Sequence, residues 1–401
     1  MSKKILWVVG SINQIGGGER LLLEGVKYYD SIGIKTKVVT WEFNKDRLFG
    51  NEYKLDDIEV LGKGNDAKRS DTLNYAFNRF KSVINLLKIT RDFNPEILLC
   101  QSEYDAIIVG IIAKILNKKF IVLIFGQTYQ FPHDNIKYSK IFKKHLNEIV
   151  NSCQGYKDTI SLKSPKLGIV NHLLNESLAY LRYYFIRKAY KTFTLSKQVK
   201  WEVEKIYGIK SSVLRAGFSI KDLAKRKKHF NKKNNSPKIL NFLMVNRLVK
   251  KKRVDLAINT FKELNNNYKL TIVGSGVEYD NLKKIIIDNE LQNKINLTGR
   301  INDEDLKACY INSDFFISLD VADFDISVVE AMSYGLKIIV SSDFVIDEDF
   351  KNYNAIESVS PTITDLSDFI KNKINNQIDE NVNMKALDKL TWEHYFSQII
   401  K

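Results

Sequence analysis

The sequence predicts an α/β protein with two domains, each built on a parallel sheet that helices cover on both faces. The chain has 401 residues, of which 44% are hydrophobic, so it is too long for one compact core and apolar enough to bury two. Short apolar runs alternate with amphipathic segments of helical length, which is typical of parallel sheets. The alternation starts again after a basic, asparagine-rich stretch near residue 230, which indicates a second sheet.

The first half of the chain supplies six strand candidates. They lie at 5–9, 36–41, 58–61, 97–100, 120–125 and 193–195, with helices expected at 19–30 and 73–93. We take residues 1–218 as the first Rossmann-like domain and 219–237, which holds a run of lysines, as a solvated linker.

The second half repeats the rhythm over residues 238–388. Strands are expected at 239–245, 270–273, 295–297, 315–319 and 338–340. Ligands of such sheets bind beyond the carboxyl ends of the strands, so we expect the site in a cleft that the two domains face. Residues 389–401 are expected to form a closing helix that returns to the first domain.

Charge and cysteine content exclude some classes of protein. The formal net charge of +15 would attract nucleic acid, anionic lipid or phosphorylated small molecules. No helix-turn-helix or RNA-binding motif carries the basic residues, so we expect no nucleic-acid partner. The three cysteines form no CxxC pair, which excludes a zinc cluster or a disulfide scaffold and predicts a reducing compartment.

The expected location is the cytoplasm. The N-terminal apolar run is short and ends at Gly10, which is typical of a buried strand rather than a signal peptide. No apolar run is long enough to span a bilayer. Two stretches, 137–144 and 180–191, interleave basic and aromatic residues. They suit a peripheral position on an anionic membrane, on the inner face, and they suit ordinary helix packing equally well.

A glycine cluster follows the first strand. Gly16, Gly17 and Gly18 stand directly before a predicted helix, followed by Glu19 and Arg20. Glycines allow close approach of the backbone to a ligand, and the N–H groups of a helix's first turn favour an anion. Such a cluster is also common in a tight turn, and it matches neither GxGxxG nor a P-loop.

A second motif follows the first strand of the second half. Arg247 and Lys252 are five residues apart and precede a predicted helix. An arginine fork and a lysine point charge placed there can converge on one diphosphate. Lys250 and Lys251, between them, are also consistent with a solvated basic turn.

A third motif runs from Asp320 to Gly335. A polar loop leads into a helix that contains Glu330 among apolar neighbours. A carboxylate in such surroundings needs a partner, and the paired hydroxyls of a ribose would serve.

In their order and spacing, these motifs resemble the retaining glycosyltransferases of family 4, which have the GT-B fold. The resemblance extends nearly from end to end of the chain. Further matching segments occur at 195–196, 207–208, 213–218, 273–276, 297–300 and in the closing helix from Thr391. It implies transfer of a sugar from a nucleotide-diphosphate sugar to a glycan, lipid-linked or protein acceptor, in the synthesis of cell-envelope or surface polysaccharide.

The resemblance also implies roles for individual residues. Arg247 and Lys252 would hold the donor diphosphate, Glu330 the ribose, and Asp323 the transferred sugar. The other expected contacts are with the backbone of Arg300 and Ile301 at the base, the glycines Gly17 and Gly18, and the donor loop and helix start at Phe324, Ser327, Val328 and Val329. No cofactor and no metal are expected, since the nucleotide sugar is a substrate.

The chain departs from the family pattern at four positions. Ala322 stands where the family commonly has a glutamate, with Asp323 one place later, and Phe125 stands where it often has a histidine. Asn246 and Arg253 replace two glycines of the diphosphate motif. A GT-B partner subunit that binds nucleotide or glycan without catalysing transfer is the alternative that these departures leave open.

Overall fold

The structure is a computed structural model that describes most of the chain. The described residues are 3–12, 16–44, 58–61, 72–126, 135–152, 162–163, 167–220, 239–265, 267–320, 324–344, 346, 348–372 and 383–401, without the side chains of 72–81 and 348–349. Two compact units are formed, Met1–Leu214 with Ile399–Lys401 and Arg215–Gln398. Most of the expected linker, 219–237, lies outside the described residues, and the domain bounds given above stay a prediction.

The first unit contains a seven-stranded sheet in the order β3-β2-β1-β4-β5-β6-β7. All its neighbouring strands are parallel. The strands are β1 (Lys4–Val9), β2 (Lys35–Thr40), β3 (Ile58–Val60), β4 (Ile97–Cys100), β5 (Lys119–Ile124), β6 (Lys191–Thr194) and β7 (Ser212–Val213). The order reverses between β1 and β4, which makes their carboxyl ends the switch point where ligands of such sheets bind.

Helices cover this sheet, as the alternation of the sequence predicts. They are α1 (Gly17–Ser31), α2 (Thr72–Phe93), α3 (Ala106–Ile115), α4 (Lys140–Asn151), α5 (Ile169–Lys188) and α6 (Lys197–Tyr207). Helix α6 begins at Ser196, whose hydroxyl accepts the N–H of Val199, and ends at the left-handed Gly208. The strands are buried because helices cover both faces; Leu6, Trp7 and Val8 have 1% exposure or less.

The second unit contains a six-stranded sheet in the order β10-β9-β8-β11-β12-β13, again with parallel neighbours. Its strands are β8 (Leu240–Val245), β9 (Tyr268–Val273), β10 (Ile295–Gly299), β11 (Phe315–Ser318), β12 (Lys337–Ser341) and β13 (Ile356–Val359). The order reverses between β8 and β11. Two parallel sheets with helices confirm the predicted α/β class and its two Rossmann-like domains.

The helices of the second unit are short. They are α7 (Val254–Lys262), α8 (Tyr279–Asp288), α9 (Asp303–Ile311), α10 (Ile326–Ser333), α11 (Glu348–Lys351), α12 (Ile363–Asn372) and α13 (Trp392–Ile399). Helix α10 follows β11 and lies almost entirely inside the unit, with Val328, Val329, Ala331 and Met332 fully buried. Among the described helices, none combines the length and the apolar character that crossing a membrane requires.

Candidate functional site

The loops that follow β8 and β9 are joined by close backbone contacts. Gly274 has φ 146°, and a Cβ there would lie 1.8 Å from the carbonyl oxygen of Asn246. The N–H of Leu248 donates to the carbonyl of Ser275 at 2.9 Å, and that of Gly274 to the carbonyl of Gly299 at 2.9 Å. Only glycine fits at position 274, and the contact fixes the backbone on which Arg247 stands.

Arg247 and Lys252 occupy the predicted place beyond the carboxyl end of β8. Arg247 is exposed, two residues after the strand ends. Lys252 ends a short 3-10 helix over Lys250–Lys252 and is only 16% exposed. The two predicted phosphate ligands therefore differ: one side chain reaches solvent, and the other is held within the unit.

Two aspartates hold Lys252. Its Nζ lies 2.5 Å from Oδ2 of Asp320 and 3.2 Å from Oδ2 of Asp325. Burial lowers the pKa of Lys252, but the charges of Asp325 and Asp320 outweigh burial and raise it well above its ordinary value. Lys252 is therefore a permanent cation.

Asp325 is also the N-cap of helix α10. Its Oδ1 accepts the backbone N–H of Ser327 at 3.1 Å and the hydroxyl of Ser327 at 2.8 Å. Burial raises the pKa of Asp325, but the charge of Lys252 and the two hydrogen bonds from Ser327 lower it below its usual range. An ionised carboxylate thus stands at the positive end of this helix.

Lys251 connects these charges to Arg247. The pKa of Lys251 is lowered, chiefly by desolvation. The carboxylate of Asp320 opposes this shift, the cations Lys252 and Arg247 add to it, and Asp325 opposes it by the smallest amount. Electrostatic interactions weaken with distance, so Arg247, Lys252, Asp320 and Asp325 all lie within electrostatic range of Lys251. These five groups are three cations and two carboxylates, so together they carry one net positive charge.

Glu330 is buried, as predicted, and it has a protein partner. The hydroxyl of Tyr310 donates to Oε2 of Glu330 at 2.9 Å. The Tyr310 ring stacks on that of Tyr334, with centroids 4.9 Å apart. Helix α9 therefore fixes the position of the carboxylate on α10.

The remaining predicted residues of the second unit lie around one apolar cluster. Val328 and Val329 belong to that cluster, and Ile301 and Phe324 pack against it. Ser327 is buried and bonded to Asp325, whereas Arg300 is exposed just after β10. Ala322 and Asp323 lie outside the described residues, so the role predicted for Asp323 stays a prediction.

Gly17 and Gly18 belong to the first unit, beyond the carboxyl end of β1. Helix α1 begins at Gly17, and the side chain of Gln101, directly after β4, donates to the carbonyl of Gly18 at 2.7 Å. The glycine loop and Gln101 thus stand at the switch point of the first sheet. Sequence reasoning gave Gln101 no role, since a lone glutamine after a strand carries no signal.

The two substitutions in the diphosphate motif have local structural consequences. Arg253 adopts φ 50°, a left-handed conformation that glycine accepts and that costs other residues about 1 kcal/mol. Its guanidinium compensates by binding Asp343 at 2.7 Å and the hydroxyl of Ser341 at 3.3 Å. The side-chain amide of Asn246 is buried, and neither its Oδ1 nor its Nδ2 has a hydrogen-bond partner within the described part of the chain.

The sequence analysis assigned no role to Asp325 and did not pair Asp320 with Lys252. An aspartate before a short apolar helix is a recognisable N-cap signal. The pairing with Lys252 spans about seventy residues and leaves no sequence signal. Among the described residues, no group of histidine, cysteine and acidic side chains could hold a metal ion.

Comparison with known structures defines the fold class. The lipopolysaccharide outer core galactosyltransferase WaaB is 16% identical, with a TM-score of 0.62 over 99% of this chain and 98% of that one. Anabaena Alr3699/HepE, solved with UDP and glucose, is 14% identical with a TM-score of 0.64 over 99% and 98%. Sucrose-phosphate synthase from Thermosynechococcus elongatus is 13% identical with a TM-score of 0.69 over 99% and 97%. These similarities show the GT-B fold.

A sequence match to a protein family lies within the second unit. Residues 225–387 match the family described as Glycosyl transferases group 1. No curated protein sequence matches the chain. The match covers β8 through α12 and so includes Arg247, Lys252 and Glu330. Over this range the chain matches the predicted class of enzyme, a glycosyltransferase, and the solved structures show the GT-B fold.

Proposed function

We propose that the protein transfers a sugar from a nucleoside-diphosphate sugar with retention of configuration. The observation that carries the proposal is the charge cluster at the β8/β11 switch point, where Lys252 contacts Asp325, the N-cap of helix α10, and exposed Arg247 follows the carboxyl end of β8. A departing nucleoside diphosphate gains negative charge, and preformed cations and helix-terminal N–H groups stabilise such charge. UDP is the first candidate, because Anabaena Alr3699/HepE was solved with UDP and glucose.

Each side chain has one role in this proposal. Exposed Arg247 presents its guanidinium fork to the diphosphate, and Lys252 supplies a fixed charge beside it. Glu330, held by Tyr310, accepts hydrogen bonds from the ribose hydroxyls. Arg300 and Ile301 contact the base, and Gly17, Gly18 and Asp323 contact the sugar side. The chemistry requires no cofactor and no metal.

The proposed acceptor is a glycan, lipid-linked or protein group in cell-envelope or surface polysaccharide synthesis. Burial supports helix packing for part of the two basic aromatic stretches, since Phe142, Arg182 and Phe185 are inside the first unit. One row on helix α5, which includes Tyr180 of the second stretch, is exposed: Ile169 is 82% exposed, Leu173 62% and Tyr180 60%. Their spacing puts them on one helix face, which supports attachment of the first unit to an anionic membrane.

Product analysis tests the transfer reaction. Purified protein is incubated with a panel of nucleotide sugars that ligand-induced thermal stabilisation has first narrowed. The anomeric configuration of the product is then read by NMR, with and without a chelator. Retention in both samples supports the proposal, and an inverted product contradicts it.

Turnover separates the enzyme from the alternative, a GT-B subunit that binds nucleotide or glycan without transfer. That alternative predicts nucleoside-diphosphate binding without any transferred sugar for every acceptor tried.

Co-sedimentation with anionic and neutral vesicles, at low and high salt, tests the proposed membrane attachment. Wild type that stays in solution with anionic vesicles at low salt contradicts a membrane-bound acceptor.

A further inference from the structure

A carboxylate of the protein itself occupies the groups that the proposed function assigns to the donor diphosphate. Oδ2 of Asp325 lies 3.2 Å from the ammonium of Lys252, and Oδ1 accepts the Ser327 N–H at 3.1 Å. The backbone carbonyl of Asp325 accepts the N–H of Val329 at 3.3 Å. The cation and the first turn of helix α10 are thus already bound to one internal anion.

A second carboxylate adds to this negative charge. Asp320 is 3% exposed, and its Oδ2 lies 2.5 Å from the same ammonium. Its Oδ1 has no hydrogen-bond partner within the described ranges. The ammonium of Lys252 is therefore in direct contact with two carboxylates. A diphosphate that approaches this ammonium meets like charges at short range.

We propose that Asp325 competes with the donor diphosphate for Lys252 and for the start of helix α10. In the unliganded protein the carboxylate holds both groups in place, and it must give up Lys252 when the donor binds. Asp325 thereby weakens the affinity for nucleoside diphosphates and favours release of the nucleoside-diphosphate product. This inference rests on the proposed function, because it concerns the same phosphate position.

A purely structural role for Asp325 makes a different prediction. Asparagine caps a helix as well as aspartate does, so Asp325→Asn keeps the hydrogen bond from Ser327 and removes only the charge. If Asp325 serves only as a cap, the affinity for an anion stays the same in this variant. If Asp325 competes, the affinity rises.

Isothermal titration calorimetry of the full-length protein tests the inference with two probes, UDP and inorganic pyrophosphate. Asp325→Asn is compared with wild type and with Asp368→Asn, which makes the same change in net charge at an exposed position of helix α12. We expect Asp325→Asn to bind both probes about tenfold more tightly, because relief of one close like-charge contact has that order of size. Asp368→Asn should match wild type.

The outcomes separate the inference from the proposed function. Equal or weaker binding of pyrophosphate by Asp325→Asn overturns the inference, as does the absence of binding by any variant. Tighter pyrophosphate binding without UDP binding supports the inference and contradicts a UDP donor. A thermal melt checks folding, and Asp325→Ser, which also caps a helix, replaces the asparagine variant if that one fails to fold.

Discussion

Each of the two sheets has a switch point where its strand order reverses, but the contacts formed there differ between the two units. In the first unit, the segments after β1 and β4 meet through a neutral hydrogen bond, since the side-chain amide of Gln101 donates to the carbonyl of Gly18. In the second unit, the segments after β8 and β11 meet through charges, since Lys252 lies between Asp320 and Asp325. One topology thus provides a neutral hydrogen bond in one domain and a charge cluster in the other.

The difference indicates which kind of ligand group each switch point can bind. A neutral hydrogen bond suits an uncharged ligand group, because it carries no net charge. A charge cluster suits an anion and depends on exact compensation among its members. The predictions below disturb the two switch points in turn, from the largest expected effect to the smallest.

Gly274→Ala should have the largest effect. Its new Cβ would lie 1.8 Å from the carbonyl oxygen of Asn246, and backbone cannot move aside as a flexible side chain can. We expect a loss of about 3 kcal/mol or more in the free energy of unfolding, measured with urea. Gly33→Ala is the control, because Gly33 has φ 74° and open space around it, so it should lose only about 1 kcal/mol. Equal losses in both variants would contradict the tight contact.

Lys252→Ala and Arg247→Ala should separate stability from binding. Removal of Lys252 leaves two largely buried carboxylates without their cation and should cost about 3 kcal/mol of stability. Removal of exposed Arg247 should leave the unfolding free energy within about 0.5 kcal/mol of wild type.

The same variants test the predicted diphosphate contact. UDP affinity, measured by calorimetry, should fall about tenfold or more in Arg247→Ala, since it loses a charge-assisted hydrogen bond. Lys262→Ala, at an exposed position in the last turn of helix α7, is the matched control and should bind as wild type does. Unchanged UDP affinity in Arg247→Ala would remove the residue from the site.

Gln101→Ala should disturb the first switch point by a smaller amount. It removes one neutral hydrogen bond to the Gly18 carbonyl, which contributes about 1 kcal/mol. We expect a raised KM for the nucleotide-sugar donor. The affinity for UDP alone should change less than it does in Arg247→Ala. A fall in UDP affinity as large as that of Arg247→Ala would show that the glycine loop binds the nucleotide, not the sugar.

The smallest expected effect is that of low pH on the stability that Asp325 contributes. The pKa of Asp325 is lower in the folded protein than in the unfolded chain, so its ionised form stabilises the fold above its ordinary pKa of about 3.9. That contribution is lost as the pH falls through the lower, folded value. The stability difference between wild type and Asp325→Asn should therefore shrink below about pH 4. A difference that stays constant from pH 6 to pH 3 would contradict the lowered pKa.

Strand positions show how much of the fold the pattern of apolar residues carries. Ten of the eleven predicted strands shift by one or two residues at an end, and 97–100 coincides with β4. The sequence did not predict β13 (Ile356–Val359), because Glu357 and Ser358 face solvent at the sheet edge and interrupt the apolar run. The apolar pattern also did not reveal β7, since two residues give no periodicity, and only the family resemblance at 213–218 indicated a segment there.

The sequence by itself determined the class of fold and the order of the motifs. Buried parallel strands must be apolar on both faces, and Arg247, Lys252 and Glu330 are tied to strand ends and helix starts that local pattern reveals. The tertiary structure alone decided what those side chains contact. Lys252 meets Asp320 and Asp325 because β8 and β11 are neighbours in the sheet, although some seventy residues separate them in the chain. Glu330 meets Tyr310 because α9 and α10, which flank β11 in the chain, pack against each other. Charge balance depends on distances of a few ångströms in space, and hydrophobic periodicity encodes none of them.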